Sequence, residues 1–206
     1  MSDNRWTPLP ADVSVLFEPL HREILQAHAR WKVFRQLFTT SDARMRLLNE
    51  TAPGFFAIVK DVIRDDAFVA LSRLTDKSQT AGKKTLSLYR LVDSLESHCD
   101  AGFVSDAQNR LAELATLVKE IRNWRHRKLA HIDLATALEY RPQPLGPVTR
   151  GTIDDALAKA AELMNSILGY YKIAPILYDA VYFAGDADVL LSRLEAAKSL
   201  YDHRAG

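Results

Sequence analysis

Apolar side chains return every three or four residues along most of this chain, and this spacing constrains its fold more than any other feature. After Ser105, for example, Leu111, Leu114, Val118 and Ile121 share one helix face at about 100° per residue. No segment alternates apolar and polar residues over a strand length between turn residues. The sequence therefore predicts an all-α fold without a sheet, most simply an antiparallel helical bundle.

The same periodicity, with capping and turn signals, gives the approximate limits of the helices. We predict helices over 12–38, from Pro53 towards Asp76, over 87–98, from Ser105 or Asp106, from Thr152, and from Asp186 towards the C-terminus. Pro19 is expected to kink or start the first helix. The polar stretch 76–85 is typical of a loop, and the prolines between Pro142 and Pro147 must interrupt helical structure.

The composition is that of a globular protein. Of 206 residues, 48% are hydrophobic and 26% charged, which is enough apolar material for a sizeable core. We expect one helical bundle over residues 1–184 and a C-terminal helical appendage over 185–206.

The expected location is the cytoplasm. Cys99 is the only cysteine, so an intramolecular disulfide is impossible and a reducing compartment fits. The N-terminal residues resemble no signal peptide, and no apolar run reaches the roughly 18 residues that span a bilayer. We therefore expect no membrane partner.

Unusual chemistry is concentrated between Lys119 and His131. This stretch contains five cations and only one acid, Glu120, although the formal net charge of the whole chain is only +1. The apolar arc of the predicted helix also ends in polar groups, because Arg125 and Lys128 fall near its middle and His131 at its rim. The arc holds Leu111, Leu114, Leu117, Val118, Ile121 and Trp124, and the five cations are Lys119, Arg122, Arg125, Arg127 and Lys128.

A buried cation is costly unless it is paired, so either acids from other helices neutralise these groups or the arc opens onto a cleft or subunit interface. Arginine offers a fork to phosphate, histidine exchanges protons near neutral pH, and Trp124 offers a surface for base stacking. The patch fits a polyanion. A solvated basic face with a structural histidine is the alternative.

Several short motifs resemble one protein family. Arg125 to His131 (RHRKLAH) resembles the R-x(4–6)-H signature of the HEPN superfamily, with His126 as the polar residue after the arginine. Four further segments are similar to the AbiU-type branch of HEPN proteins from bacterial phage-defence systems, and the similarity covers roughly residues 20–180. These are WKVFRQLF (31–38), TAPGFF (51–56), LSRLTD (71–76) and KLAHID (128–133).

This resemblance implies a helical bundle that forms a homodimer through its motif-bearing helices, and in active members a metal-independent endoribonuclease. Arg125 would stabilise charge on the scissile phosphate, His131 would take the proton of the attacking 2′-hydroxyl, and His126 would support them. Arg127 is the second candidate for the phosphate. On one continuous helix Arg125 and His131 would point about 120° apart, so two copies related by a two-fold axis would be needed to join them.

The expected site residues and partners follow from the patch and the resemblance together. RNA contacts are assigned to Arg122, Trp124, Arg127 and Lys128, with no metal and no cofactor. The expected partners are RNA, a second copy of the chain, and a cognate antitoxin or nucleotidyltransferase. A non-catalytic HEPN module that binds RNA, nucleotide or a partner protein is the alternative function, and a scaffold or antitoxin is a third.

Other candidate sites have weaker support. His21, His28, Asp65 and Asp66 lack the spacing of helical metal ligands, so structural or surface roles are expected for them. Neighbouring side chains on a helix diverge, which argues against His98 and Cys99 as base and nucleophile. The glycine-rich nucleotide-binding fingerprints are missing.

Overall fold

The computed structural model describes residues 4–80, 82–126 and 147–205, and α-helices dominate these ranges. They contain seven α-helices: α1 (Ala11–Phe38), α2 (Asp42–Thr51), α3 (Pro53–Leu74), α4 (Leu88–Leu95), α5 (Ala101–Trp124), α6 (Arg150–Tyr170) and α7 (Ala187–Ala205). Short 3₁₀ helices cover Asn4–Trp6 and Tyr178–Ala180. The predicted all-α class is confirmed.

The loop between α3 and α4 contains the only strands in the described ranges. Strand β1 (Gln79–Thr80) pairs with β2 (Lys83–Lys84) in a two-residue antiparallel ladder. Gly82 turns the chain between them with φ +76°, a value that glycine adopts without the steric cost of a Cβ atom. The sequence predicts an unstructured loop here, and the hairpin is a small addition to it.

The main core is built from the apolar faces of α1, α3, α4, α5 and α6. Helix α5 packs along α6, and α1 packs along α3. Phe17, Ile24, Leu71, Leu114 and Leu163 are completely buried where these helices meet. Each such side chain contributes roughly 1.5–3 kcal/mol through removal from water. This core fixes the position of the C-terminal end of α5 against α3.

A second, smaller cluster holds the C-terminal helix α7. Ala187 and Leu191 of α7 pack with Leu37, Leu47, Leu48 and Phe56 from the first three helices. Asp186 begins α7 as predicted, because its Oδ1 accepts a hydrogen bond from the backbone N–H of Asp188 at 3.2 Å. The division of the chain between residues 184 and 185 stays a prediction.

Two helix starts differ from the sequence prediction because another capping residue is used, and one helix is additional to it. Helix α5 begins four residues before Ser105, where Asp100 accepts a hydrogen bond from the backbone N–H of Phe103 at 2.9 Å. Helix α6 begins at Arg150 because Thr149, rather than Thr152, is the N-cap. Helix α2 was not predicted at all, and Ser41 caps it.

Pro19 and the prolines between Pro142 and Pro147 were expected to shape the helices. Pro19 lies inside α1, so it does not start that helix. A proline at this position removes one backbone donor without ending the helix, because the apolar face of α1 is buried on both sides of it. The predicted interruption between Pro142 and Pro147 falls almost entirely outside the described residues.

Within the part of the chain that the structure describes, no helix combines the length and apolar character needed to cross a bilayer.

Candidate nucleic-acid site at the end of helix α5

Helix α5 carries the predicted apolar arc into the core. Leu111, Leu114, Val118 and Ile121 are buried, whereas Leu117 and Trp124 are partly buried. The backbone keeps helical angles at Arg125 (φ −55°, ψ −49°), directly after the helix. The first cations after this apolar arc therefore lie where α5 packs against the end of α3.

Arg122 is bound to the C-terminal end of α3. Its NH2 group donates hydrogen bonds to the carbonyl oxygen of Thr75 at 2.6 Å and to the Thr75 hydroxyl at 2.7 Å. A longer contact, 3.4 Å, reaches the carbonyl oxygen of Ser72. The last carbonyl groups of a helix lack helical partners and carry partial negative charge, so a guanidinium stabilises this end. Arg122 thus joins α5 to α3.

Asp76, the next residue after Thr75, lies between two guanidinium groups. Its Oδ1 is 3.8 Å from NH2 of Arg122, and its Oδ2 is 3.7 Å from NH1 of Arg125. Both distances fit ion pairs but exceed those of hydrogen bonds. The sequence left open whether an acid from elsewhere neutralises the cations of the arc, and Asp76 is that acid for these two arginines.

The cluster has unused hydrogen-bonding capacity. NH1 of Arg125, Nε of Arg122 and Oγ of Ser72 are buried and have no hydrogen-bond partner among the described residues. An unsatisfied buried polar group typically costs about 1–3 kcal/mol, so three at one place are unusual in a folded core. These groups could bond to an acceptor that is not part of the described chain.

The other predicted site residues are distributed around this cluster. Trp124 packs against Phe68, with ring centroids 6.4 Å apart and planes at 63°, so part of its surface belongs to the core. Lys119 is exposed on α5, and His126 is exposed two residues beyond the end of that helix. His131, Arg127 and Lys128 lie outside the described residues. The structure therefore brings together Arg122 and Arg125 with Asp76, a residue that the sequence analysis did not select.

The histidines weighed as metal ligands are both held by the core instead. His28 is buried, and its Nε2 lies 3.2 Å from the carbonyl oxygen of Leu157. Burial lowers the pKa of His28, which favours the neutral ring. Nδ1 of His21 lies 3.0 Å from the hydroxyl of the buried Tyr178.

The remaining candidates also have structural partners. Both carboxylate oxygens of Asp66 accept hydrogen bonds from Arg30 at 2.9 Å. Asp65 pairs with its neighbour Arg64. In residues 4–80, 82–126 and 147–205, no three histidine, cysteine or acidic side chains come close enough to hold a metal ion.

Cys99 and His98 do not face each other as a nucleophile and base would. The sulfur of Cys99 lies 3.4 Å from the hydroxyl of Tyr171, while Nε2 of His98 lies 2.9 Å from a carboxylate oxygen of Asp12. Each side chain thus contacts a different element, because Tyr171 directly follows α6 and Asp12 lies in the first turn of α1.

An all-α bundle with paired arginines at the end of one core helix agrees with the HEPN class that the sequence motifs suggest. The chain belongs to the AbiU2 family of HEPN proteins, whose sequence profile matches residues 11–181. This membership suggests an abortive-infection HEPN module.

Two further comparisons complete the picture. The chain is also similar to a phosphoglycerate kinase of Natronomonas pharaonis, with 28% identity over 145 residues. That alignment covers 65% of this chain and 34% of the relative, so the chain spans about a third of the relative's length. No solved structure matches the chain.

Proposed function

We propose that this chain is a metal-independent endoribonuclease of a toxin–antitoxin or phage-defence system, and that it cuts RNA through Arg125 and His131 at a homodimer interface. The observation that carries the proposal is the setting of Arg125. Its side chain is 32% exposed, and its NH1 lies 3.7 Å from Asp76 without a hydrogen-bond partner among the described residues. The carboxylate orients this arginine, and the exposed part of its guanidinium is the part that can meet a phosphate.

The two arginines therefore receive different roles. Arg122 already donates two short hydrogen bonds to Thr75, so we assign it to holding α5 on α3. NH1 of Arg125 has no hydrogen-bond partner among the described residues, and Arg125 is the phosphate ligand in this proposal. Arg127 and Lys128 supply further phosphate contacts, and a base stacks on Trp124.

The reaction needs a base, a cation and a fixed geometry. His131 takes the proton of a ribose 2′-hydroxyl, and the resulting oxygen attacks the adjacent phosphorus. The bond from phosphorus to the 5′-oxygen breaks, and that oxygen leaves with a proton. Arg125 stabilises the extra negative charge on the phosphorane, with His126 as a supporting polar group. The products are a 2′,3′-cyclic phosphate and a 5′-hydroxyl.

A second copy of the chain and a restraining partner belong to the proposal. An arginine and a histidine six positions apart diverge by about 120° on one continuous helix, so a two-fold axis near the end of α5 would combine residues from both copies. A cognate antitoxin or nucleotidyltransferase would restrain the activity in the cell.

The test is incubation of the purified protein with total RNA in the presence of EDTA. Arg125→Ala and His131→Ala should each lower the cleavage rate by about 10²–10⁴, because each removes a group that acts in the transition state. Arg110→Ala is the matched control, since it removes the same charge from an exposed position of α5 and should leave the rate unchanged. Equal rates for Arg125→Ala and wild type would refute the assignment.

A non-catalytic HEPN module is the second candidate. The carboxylate of Asp76 reduces the positive charge at Arg125, a setting that also fits a protein that binds RNA, nucleotide or a partner without cutting. Salt-dependent RNA binding by wild type with no cleavage in either EDTA or magnesium would favour this candidate.

A further inference from the structure

Asp76 contacts both arginines of the site with one carboxylate. Each oxygen faces a different guanidinium, at 3.8 Å for Arg122 and 3.7 Å for Arg125. The side chain of Asp76 is 28% exposed, so the contact is only partly open to water. A carboxylate in this position influences how Arg125 is oriented and how much charge it presents.

The backbone that carries Asp76 is fixed from both sides. Thr75 is buried, and its hydroxyl donates to the carbonyl oxygen of Leu71 at 2.9 Å while it accepts from Arg122 at 2.7 Å. Arg122 thereby fixes the residue next to Asp76, and Asp76 in turn faces Arg125. The chain of contacts runs from the end of α3 to the guanidinium that we assign to the phosphate.

We propose that Asp76 is a positioning residue of the RNA site, which holds the guanidinium of Arg125 in its working orientation and at the same time weakens the binding of RNA. This inference rests on the proposed function for its kinetic part. Its binding part requires only that RNA meets Arg125.

The orienting effect follows from the flexibility of arginine. Without a fixed charge beside it, the long side chain of Arg125 would sample many rotamers, and a misplacement of about 1 Å in a catalytic group can cost about 10²-fold in rate. The contact at 3.7 Å limits this freedom, although it is too long to be a hydrogen bond from NH1.

The effect on binding follows from charge. A phosphate oxygen bound to Arg125 would lie within one Debye length, about 10 Å at 0.1 M salt, of the Asp76 carboxylate. The two negative groups repel each other, so removal of the carboxylate charge should tighten RNA binding. A residue with a merely structural role would give the opposite result, because its loss loosens the site and weakens binding.

The decisive variant is Asp76→Asn, which keeps the size of the side chain and removes its charge. We expect kcat for RNA cleavage to fall about tenfold or more. Affinity for a 2′-O-methyl RNA oligonucleotide, which has no free 2′-hydroxyl to react, should rise about three- to tenfold at low salt. Asp76→Glu should restore the affinity of wild type and part of kcat, since the longer side chain restores the negative charge at a different distance from the backbone.

Asp66→Asn is the matched control. It removes the same charge and also breaks an arginine–carboxylate pair, here with Arg30, but it lies about 12 Å along the axis of α3 from Leu74. At that distance salt screens the charge, so both kcat and the affinity for the 2′-O-methyl oligonucleotide should stay within about twofold of wild type.

The possible outcomes separate this inference from the proposed function. If wild type cleaves RNA and Asp76→Asn cleaves it equally fast, or binds the oligonucleotide more weakly, the inference is wrong while the proposed function stands. If wild type cleaves no RNA, the proposed function fails. The binding measurement then decides alone: unchanged or weaker affinity for Asp76→Asn rejects the inference, and tighter binding supports it.

Discussion

Loss of the Arg122 side chain should destabilise the fold more than removal of any exposed charge on α5. Arg122→Ala removes two charge-assisted hydrogen bonds, of 2.6 and 2.7 Å, and leaves the carbonyl oxygen of Thr75 without this partner. Hydrogen bonds to charged groups contribute about 1.5–3 kcal/mol. The two bonds share one nitrogen, and the side chain is 42% exposed, so we expect a combined loss of about 2–3 kcal/mol.

Urea denaturation followed by circular dichroism measures this loss. With a slope of about 2.5 kcal/mol per M, the midpoint should fall by roughly 1 M, with the slope unchanged. The melting temperature should fall by roughly 5–10 °C for a chain of this size. Arg110→Ala, which removes an exposed charge from the same helix, should stay within about 0.5 kcal/mol of wild type. If both variants unfold at the same midpoint, Arg122 does not join α5 to α3 as we describe.

Three further changes test other parts of the account. Asp100→Ala should lower the free energy of unfolding by about 1 kcal/mol because Asp100 caps α5. Asp106→Ala should change it by less than about 0.5 kcal/mol, and similar urea midpoints for the two variants would contradict the observed helix start. Burial lowers the pKa of His28 below 6.5, so the unfolded chain takes up the proton first and the free energy of unfolding should fall as pH drops below about 6.5. Denaturation at several pH values should show a flatter fall for His28→Gln, and an unchanged slope would contradict this. Lys119→Ala should weaken RNA binding several-fold and lower the slope of log affinity against log salt by about 0.7, and an unchanged slope would exclude a phosphate contact.

The sequence predicted the helices whose apolar spacing is long and regular. Helix α5 is the best example, because Leu111, Leu114, Val118 and Ile121 are all buried as the 3.6-residue period requires. Helix α2 was missed because it is short and mostly polar, with only Leu47 and Leu48 buried. A helix can be predicted from a single sequence only where its apolar residues recur regularly.

Helix ends were less predictable, since several residues near each start can cap. Before α5, Asp100, Ser105 and Asp106 all have suitable side chains, and Asp100 is the one that accepts the capping hydrogen bond. At α6 the same competition between Thr149 and Thr152 is resolved in favour of the earlier residue.

The candidate site was visible only in part. The cations of α5 lie close together in the sequence, and the motif around Arg125 drew attention to them. Their partners, Thr75 and Asp76, lie more than 40 residues earlier in the chain. A contact over that separation depends on how α3 and α5 pack, which no local pattern encodes.

The end groups of the cleaved RNA test the central claim most directly. A defined single-stranded RNA is incubated with the full chain in EDTA, and mass spectrometry identifies the new ends. We predict a 2′,3′-cyclic phosphate and a 5′-hydroxyl from wild type and from Arg110→Ala, and no product above background from Arg125→Ala or His131→Ala. A 3′-hydroxyl with a 5′-phosphate, or equal product from Arg125→Ala, would contradict a reaction in which the ribose hydroxyl attacks a phosphate held by Arg125.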